Sequence, residues 1–210
     1  MLNKKINIVG ILFTLFVTAG FLWAAWQWLN RYDWPPSLSS ADMQRNEAQA
    51  FQHLQQIAQA QEQYKKVDWD KNGSRTYARF PAHLWTSVNN DNEPIQVNLI
   101  PQDLGFAMGP DEAIDGYYFR NFETRESPQT GSIQRLDSEK EWAIAAIPAI
   151  YKKTGILLFL ADSSGLIVIN NFRNAPTHYP ANPLSENWTP VTTLQELQEI
   201  QTTLAYTPHK

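Results

Sequence analysis

From Ile6 to Leu29 the chain carries no charged residue, and the run INIVGILFTLFVTAGFLWAAWQWL is almost wholly apolar. As a helix it is long enough to cross about 30 Å of hydrocarbon. Lys4 and Lys5 precede it, whereas Arg31 behind it is offset by Asp33. Lysine and arginine are retained on the cytoplasmic side, so the N-terminus is expected inside and the bulk outside. Trp23, Trp26, Trp28, Tyr32 and Trp34 cluster at the outer end, where aromatic rings sit at headgroup level. A signal peptide cut after Ala19 is the competing reading. The apolar run, however, continues to Leu29, well past the end of a normal signal-peptide core. Either reading exports the rest. Residues 1–30 are thus expected to be a cytoplasmic tip and a single-pass anchor in a bacterial inner membrane, with lipid as its partner and a periplasmic domain behind it.

Composition narrows what that domain does. The net charge is −4. Lysines and arginines occur at most in pairs, so no basic stripe is present to neutralise phosphates and nucleic acid is not expected as a partner. There is no cysteine. That removes disulfides, thiolate zinc sites, a thiol nucleophile and an acylated lipoprotein anchor, while allowing an oxidising compartment without mispairing.

Beyond the apolar run, residues 31–40 form a linker stiffened by Pro35 and Pro36, which forbid a continuous helix. Ser39 and Asp42 then suggest a helix cap. The spacing of Ala50, Leu54, Ile57, Gln61 and Tyr64 predicts an amphipathic helix over 41–66, with Phe51 and Ala58 beside the stripe. Its other face carries Gln44, Gln49, Gln52, Gln56, Gln59 and Gln63, a neutral polar surface open to solvent or to a partner helix. Short β-type segments follow at 75–80, 95–100, 116–122 and 132–136. Glu141 to Ile147 and Ile156 to Leu160 are apolar on both faces, as central strands are. Asp162-Ser163-Ser164-Gly165 reads as a turn, with Leu166 to Ile169 returning as a hairpin partner. Pro176, Pro180, Pro183 and Pro190 mark an irregular stretch, and Leu194 to Leu204 predicts a short helix with Thr193 and Glu196 as a capping box. The expected class is α+β, a long helix packed on an antiparallel sheet over 41–190, with a C-terminal helix and tail at 191–210.

This layout resembles the type IV pilin and pseudopilin architecture. Asn46-Glu47-Ala48, Ala60-Gln61 with Tyr64, Asp68 to Gly73, Tyr77-Ala78, Gly116 to Arg120, and Pro148-Ala149 with Tyr151, Thr154 and Gly155 follow in series. Their order resembles a bacterial family of uncharacterised, exported pilin-like proteins, covering 46–170. The resemblance implies a helix-on-sheet fold and a non-enzymatic interaction or scaffolding role. Gly10 is followed by Ile-Leu-Phe-Thr-Leu with no glutamate in the apolar run, and Pro35-Pro36 separates anchor from long helix. Both depart from the pilin start, so prepilin cleavage and filament assembly are not implied. A minor pseudopilin is the corresponding alternative.

For chemistry, Asp68, Asp70, Asn72 and Gly73 match the first half of a calcium loop, but the twelfth position is Arg79 where a bidentate glutamate is needed. A turn in which Asp and Asn bond nearby backbone and Gly73 takes positive φ explains the same residues. A calcium-dependent module or tethered enzyme built on this loop would need Asp103, Asp111, Glu112 or Asp115 to converge on it. His53 is expected on the glutamine-bearing helix, His83 and His178 in loops and His209 in the tail, and no pair has metal-ligand spacing. Lys152-Lys153 reads as a solvated turn that can also meet lipid headgroups. No catalytic, cofactor-binding or metal-ligating residue is assigned from the sequence.

Overall fold

The computed structural model describes residues 38–69, 71, 73–89 and 91–204. The apolar run Ile6 to Leu29 and the proline linker lie outside them. Among the described residues no helix is long and apolar enough to cross a membrane.

Helix α1, Ser40–Tyr64, begins where Ser39 Oγ accepts the backbone N–H of Asp42 and donates to its carboxylate. Met43, Phe51, Leu54 and Ile57 are at most 1% exposed, and Gln61 and Tyr64 continue the same buried stripe. Each such apolar side chain contributes about 1.5–3 kcal/mol by leaving water. The opposite face carries Gln52, Gln56, Gln59 and Gln63, all exposed.

The sheet beneath α1 comes from the second half of the chain. Strands β3 (Tyr117–Asn121), β6 (Ala143–Pro148), β7 (Leu158–Asp162), β8 (Ile167–Asn170) and β9 (Thr189–Pro190) lie side by side in that order, all antiparallel. The apolar runs divide between two faces because successive side chains alternate. Ile144, Ala146, Phe159, Ala161, Ile167 and Ile169 face the core shared with α1. Ala143, Ala145, Ile147, Leu158, Leu160 and Val168 face a second cluster closed by Phe122, Tyr179 and Trp188. The strands are apolar throughout because both faces are covered. Helix α4, Leu194–Thr203, packs beside α1 under the expected Thr193–Glu196 capping box. Hydrogen bonds from Thr192 hold the Glu196 carboxyl below its ordinary range.

In chain order between α1 and β3 come smaller elements: α2 (Pro81–Trp85), the hairpin β1 (Thr86–Val88) and β2 (Pro94–Gln96), and α3 (Gln102–Phe106). A second hairpin, β4 (Thr124–Glu126) with β5 (Ile133–Arg135), stands apart from the main sheet. Four readings of the sequence are corrected here. Residues 75–80 join no ladder; their backbone is met by the Gln61 side chain, which donates to Ala78 O at 2.9 Å and accepts from Ala78 N at 2.8 Å. The segment 95–100 is a strand only at its start, and Asn98 turns it with φ +56°. Strand β7 begins at Leu158, since the N–H groups of Ile156 and Leu157 bond a side chain instead. His83 lies on α2, not in a loop.

That side chain is Glu47, with no exposed surface. Its Oε1 accepts from Ile156 N at 2.8 Å and Leu157 N at 3.1 Å, and its Oε2 accepts from Gln201 Nε2 at 2.8 Å. One carboxyl thus ties α1 to the start of β7 and to α4. Glu47→Ala orphans the two buried N–H groups of Ile156 and Leu157, at about 1–3 kcal/mol each, while Gln201 keeps its bond to Gln44 O. The expected outcome is a fall in melting temperature on the order of 10 °C for a domain of this size, measured by circular dichroism. Glu47→Gln, which keeps an acceptor, should lose less.

Candidate functional site

The motif residues picked out in the sequence meet mainly as structure. Asn46 Nδ2 donates to Thr154 O at 2.9 Å, next to Glu47. Gly116, at φ +76°, leaves no room for a Cβ, which would lie 2.7 Å from Asn46 Nδ2. A Cβ on Gly155 would lie 2.2 Å from the Tyr117 hydroxyl, which donates to Leu157 O. Three separated motifs therefore form one joint.

The Asp68 to Gly73 loop takes the turn geometry: Asp68 Oδ2 accepts the N–H of Gly73 at 2.9 Å, and Gly73 has φ +85°. Asp70 and Asn72 lie outside the described residues. Of the carboxylates a metal there requires, Asp115 pairs with His53 Nε2 at 3.1 Å and Asp103 accepts from Leu104 N. Asp111 and Glu112 sit on a 3-10 turn, Pro110–Glu112. Among the described residues no group of three His, Asp or Glu side chains is placed to hold a metal ion. The histidines are dispersed. His53 meets Phe119 edge-on, His83 meets Phe80, and His178 bonds Thr177; His209 lies outside the described residues.

A cleft of about 220 Å³ opens between the Tyr77–Arg79 segment, the end of β3 and the start of β6. Gln61 and Asn121 position its first wall: Gln61 clamps Ala78, and Asn121 Nδ2 donates to Arg79 O. Trp142, 5% exposed, meets Tyr77 edge-on at 6.5 Å. Its indole N–H and the Asn121 side-chain carbonyl are both buried with no hydrogen-bond partner among the described residues. Around them, every carboxylate of the lining has a cation: Glu123 with Arg79 at 2.9 Å, Asp137 with Lys140 at 2.6 Å, and Glu141 with Arg125. The Lys140 ammonium holds the exposed Asp137 carboxyl below its usual range. The lining thus leaves one buried donor and one buried acceptor unmet, while its carboxylates are all paired and Arg135 adds a further cation. That arrangement suits a neutral polar group that both gives and accepts a hydrogen bond, such as an amide or a hydroxyl.

Sequence reasoning did not single out Trp142 or Asn121. Each stands at the end of an apolar strand, where it read as ordinary core or punctuation. The available signal was a lone tryptophan beside small residues in EWAIAAI.

A family model described as a protein of unknown function, DUF2950, matches residues 37–182. The chain belongs to this family. The matched span runs from the residues before α1 to Asn182 and includes the cleft, while Gln201, which completes the Glu47 joint, lies beyond it. No curated protein and no solved structure matches the chain.

Two substitutions separate scaffold from site. Gln61→Ala should lower the melting temperature, because it strips both backbone bonds from buried Ala78, at about 1–3 kcal/mol for each orphaned group. Trp142→Phe should lower it only by what the cavity left by the smaller ring costs, less than Gln61→Ala does, because the N–H it removes is unmet. A fall as large as that of Gln61→Ala would show that the indole N–H is satisfied within the fold.

Proposed function

We propose that the chain is a membrane-anchored, periplasmic domain that works by binding a partner and not by catalysing a reaction. The observation that carries this is the Trp142 and Asn121 pair: two buried polar groups left unmet at a cleft whose carboxylates are all in ion pairs. An unmet buried donor costs about 1–3 kcal/mol, a cost that a bound amide or hydroxyl removes. Catalytic acids and bases, by contrast, need a carboxylate or imidazole free to exchange a proton. The uncharged run Ile6 to Leu29 supports the anchor, and Lys4 and Lys5 support its direction.

The pilin-like reading belongs to the same proposal. A long helix on an antiparallel sheet with a short C-terminal helix is the arrangement that resemblance implies, and scaffolding is the role it suggests. The exposed glutamines of α1, Gln52, Gln56, Gln59 and Gln63, supply a second, flatter contact surface.

The test has two parts. A phosphatase reporter that needs an oxidising compartment, fused at Lys210, should be active; activity only of a cytosolic reporter at that position removes the periplasmic role. A photo-crosslinking residue at Arg135, beside the cleft, should then capture a partner in intact membranes, and Trp142→Phe should weaken that adduct. Adducts that form only from Gln56, and are unchanged by Trp142→Phe, would transfer the interaction from the cleft to the helix face.

A further inference from the structure

A second cleft, of about 340 Å³, lies at the other end of β3 on the sheet face turned away from α1. Its polar lining is Tyr118, Arg120, Tyr151, Arg173 and Asn174, and its remaining residues are apolar. No aspartate or glutamate lines it. In a chain of net charge −4, that concentrates positive charge at one place.

Arg120 is the central residue. Tyr118 and Arg120 alternate with Tyr117 and Phe119 along β3, so both project onto the same face, opposite Ile147 and Ala145. The Arg120 guanidinium is half-buried and lies 5.8 Å from the Phe122 ring, and one nitrogen donates to Pro176 O. That contact fixes the plane of the fork but brings no negative charge. Arg45, Arg79 and Arg125 each pair with a carboxylate; Arg120 pairs with none among the described residues. A partly desolvated cation without a counter-ion favours an anion supplied from outside. Arg173 reaches the same cleft from the loop after β8, and the Tyr118 hydroxyl adds a further donor. The Tyr151 hydroxyl donates to Asn171 O at 3.1 Å, which ties that loop to the β6–β7 connection.

We propose that this cleft binds a phosphate group, held between the guanidinium of Arg120 and that of Arg173 with the Tyr118 hydroxyl. Two guanidinium forks offer more donors than the two oxygens of one carboxylate can align, whereas a phosphate presents oxygens to both. The phosphate can belong to a soluble phosphate compound or to a lipid headgroup. A headgroup source fits the neighbourhood. Lys152 stands 5.8 Å from the Tyr151 ring, and Leu38, which follows the apolar run by fewer than ten residues, donates its N–H to Lys153 O. The site itself does not depend on the anchoring reading, because the soluble arm of the test needs no membrane.

The full chain in neutral maltoside micelles is titrated with inorganic phosphate at constant ionic strength, with chloride as control, by calorimetry. In the second arm it is placed in nanodiscs of phosphatidylcholine with or without phosphatidylglycerol. The readout there is protection of Arg173 from a guanidine-directed reagent. Binding of phosphate, weakened at least tenfold by Arg173→Gln and by Arg120→Gln and less by Arg173→Lys, supports the site with a soluble source. Protection that requires phosphatidylglycerol and disappears in Arg120→Gln, without phosphate binding, supports it with a lipid source. Arg173 is exposed, so its variant reports on binding even if loss of the Pro176 contact unfolds Arg120→Gln. No binding in either arm, or binding that survives Arg173→Gln unchanged, overturns the proposal.

Discussion

The Glu47 carboxyl is the point at which the helical layer and the sheet become one structure. Without it, two amide hydrogens at the mouth of β7 would be buried unmet, and the Gln201 amide of α4 would lose an anchor. Burying a carboxyl is expensive, and three N–H donors on two oxygens are what make it tolerable. Apolar packing brings α1 onto the sheet, but packing alone is indifferent to a slide along the helix axis. A directional contact at one residue fixes the register. The neighbouring Asn46–Thr154 bond and the close approach of Gly116 and Gly155 to side chains of the same joint depend on that registration.

Polar groups in this molecule therefore divide into two populations. Glu47, Gln61, Tyr117 and the Tyr179–Asp162 pair are buried with partners, and burial beside Asp162 pushes the Tyr179 hydroxyl far above its ordinary range. Their chemistry holds the fold. Trp142, Asn121 and Arg120 lie next to clefts and lack a hydrogen-bond or charge partner that the fold elsewhere supplies readily. These are the groups on which the two proposed binding sites rest. Both clefts border β3, one at each end.

Periodicity made the large elements legible. The 3.6-residue stripe of α1, the two-sided apolar strands, the Asp162 to Gly165 turn and the final capping box all appear as read. Short elements with few residues to show a period did not. The segment 75–80 has the composition of a strand, yet the Gln61 and Asn121 side chains and the Ser138 carbonyl take up its backbone groups, and no local pattern announces that. Pro81–Trp85 is too brief to repeat, and its proline is the first helical residue. The joint at Glu47 and both clefts join residues far apart in sequence, so only their types, not their meeting, were visible. Three of the motifs that suggested a family supply the residues of that joint.

The sheet also ends in a particular way at both margins. Along the outer side of β3, irregular chain takes the hydrogen bonds: the backbone of Tyr117 donates to Ile114 O and that of Phe119 to Ala107 O, and the Asn121 side chain donates to Arg79 O. At the opposite margin β9 is two residues long, and Pro190 has no amide hydrogen to offer. Neither border invites a neighbouring molecule to add a strand, a hazard that grows when copies are crowded in two dimensions. An assembly built on this sheet must then be made through side chains, leaving its β-ladder sealed within each copy.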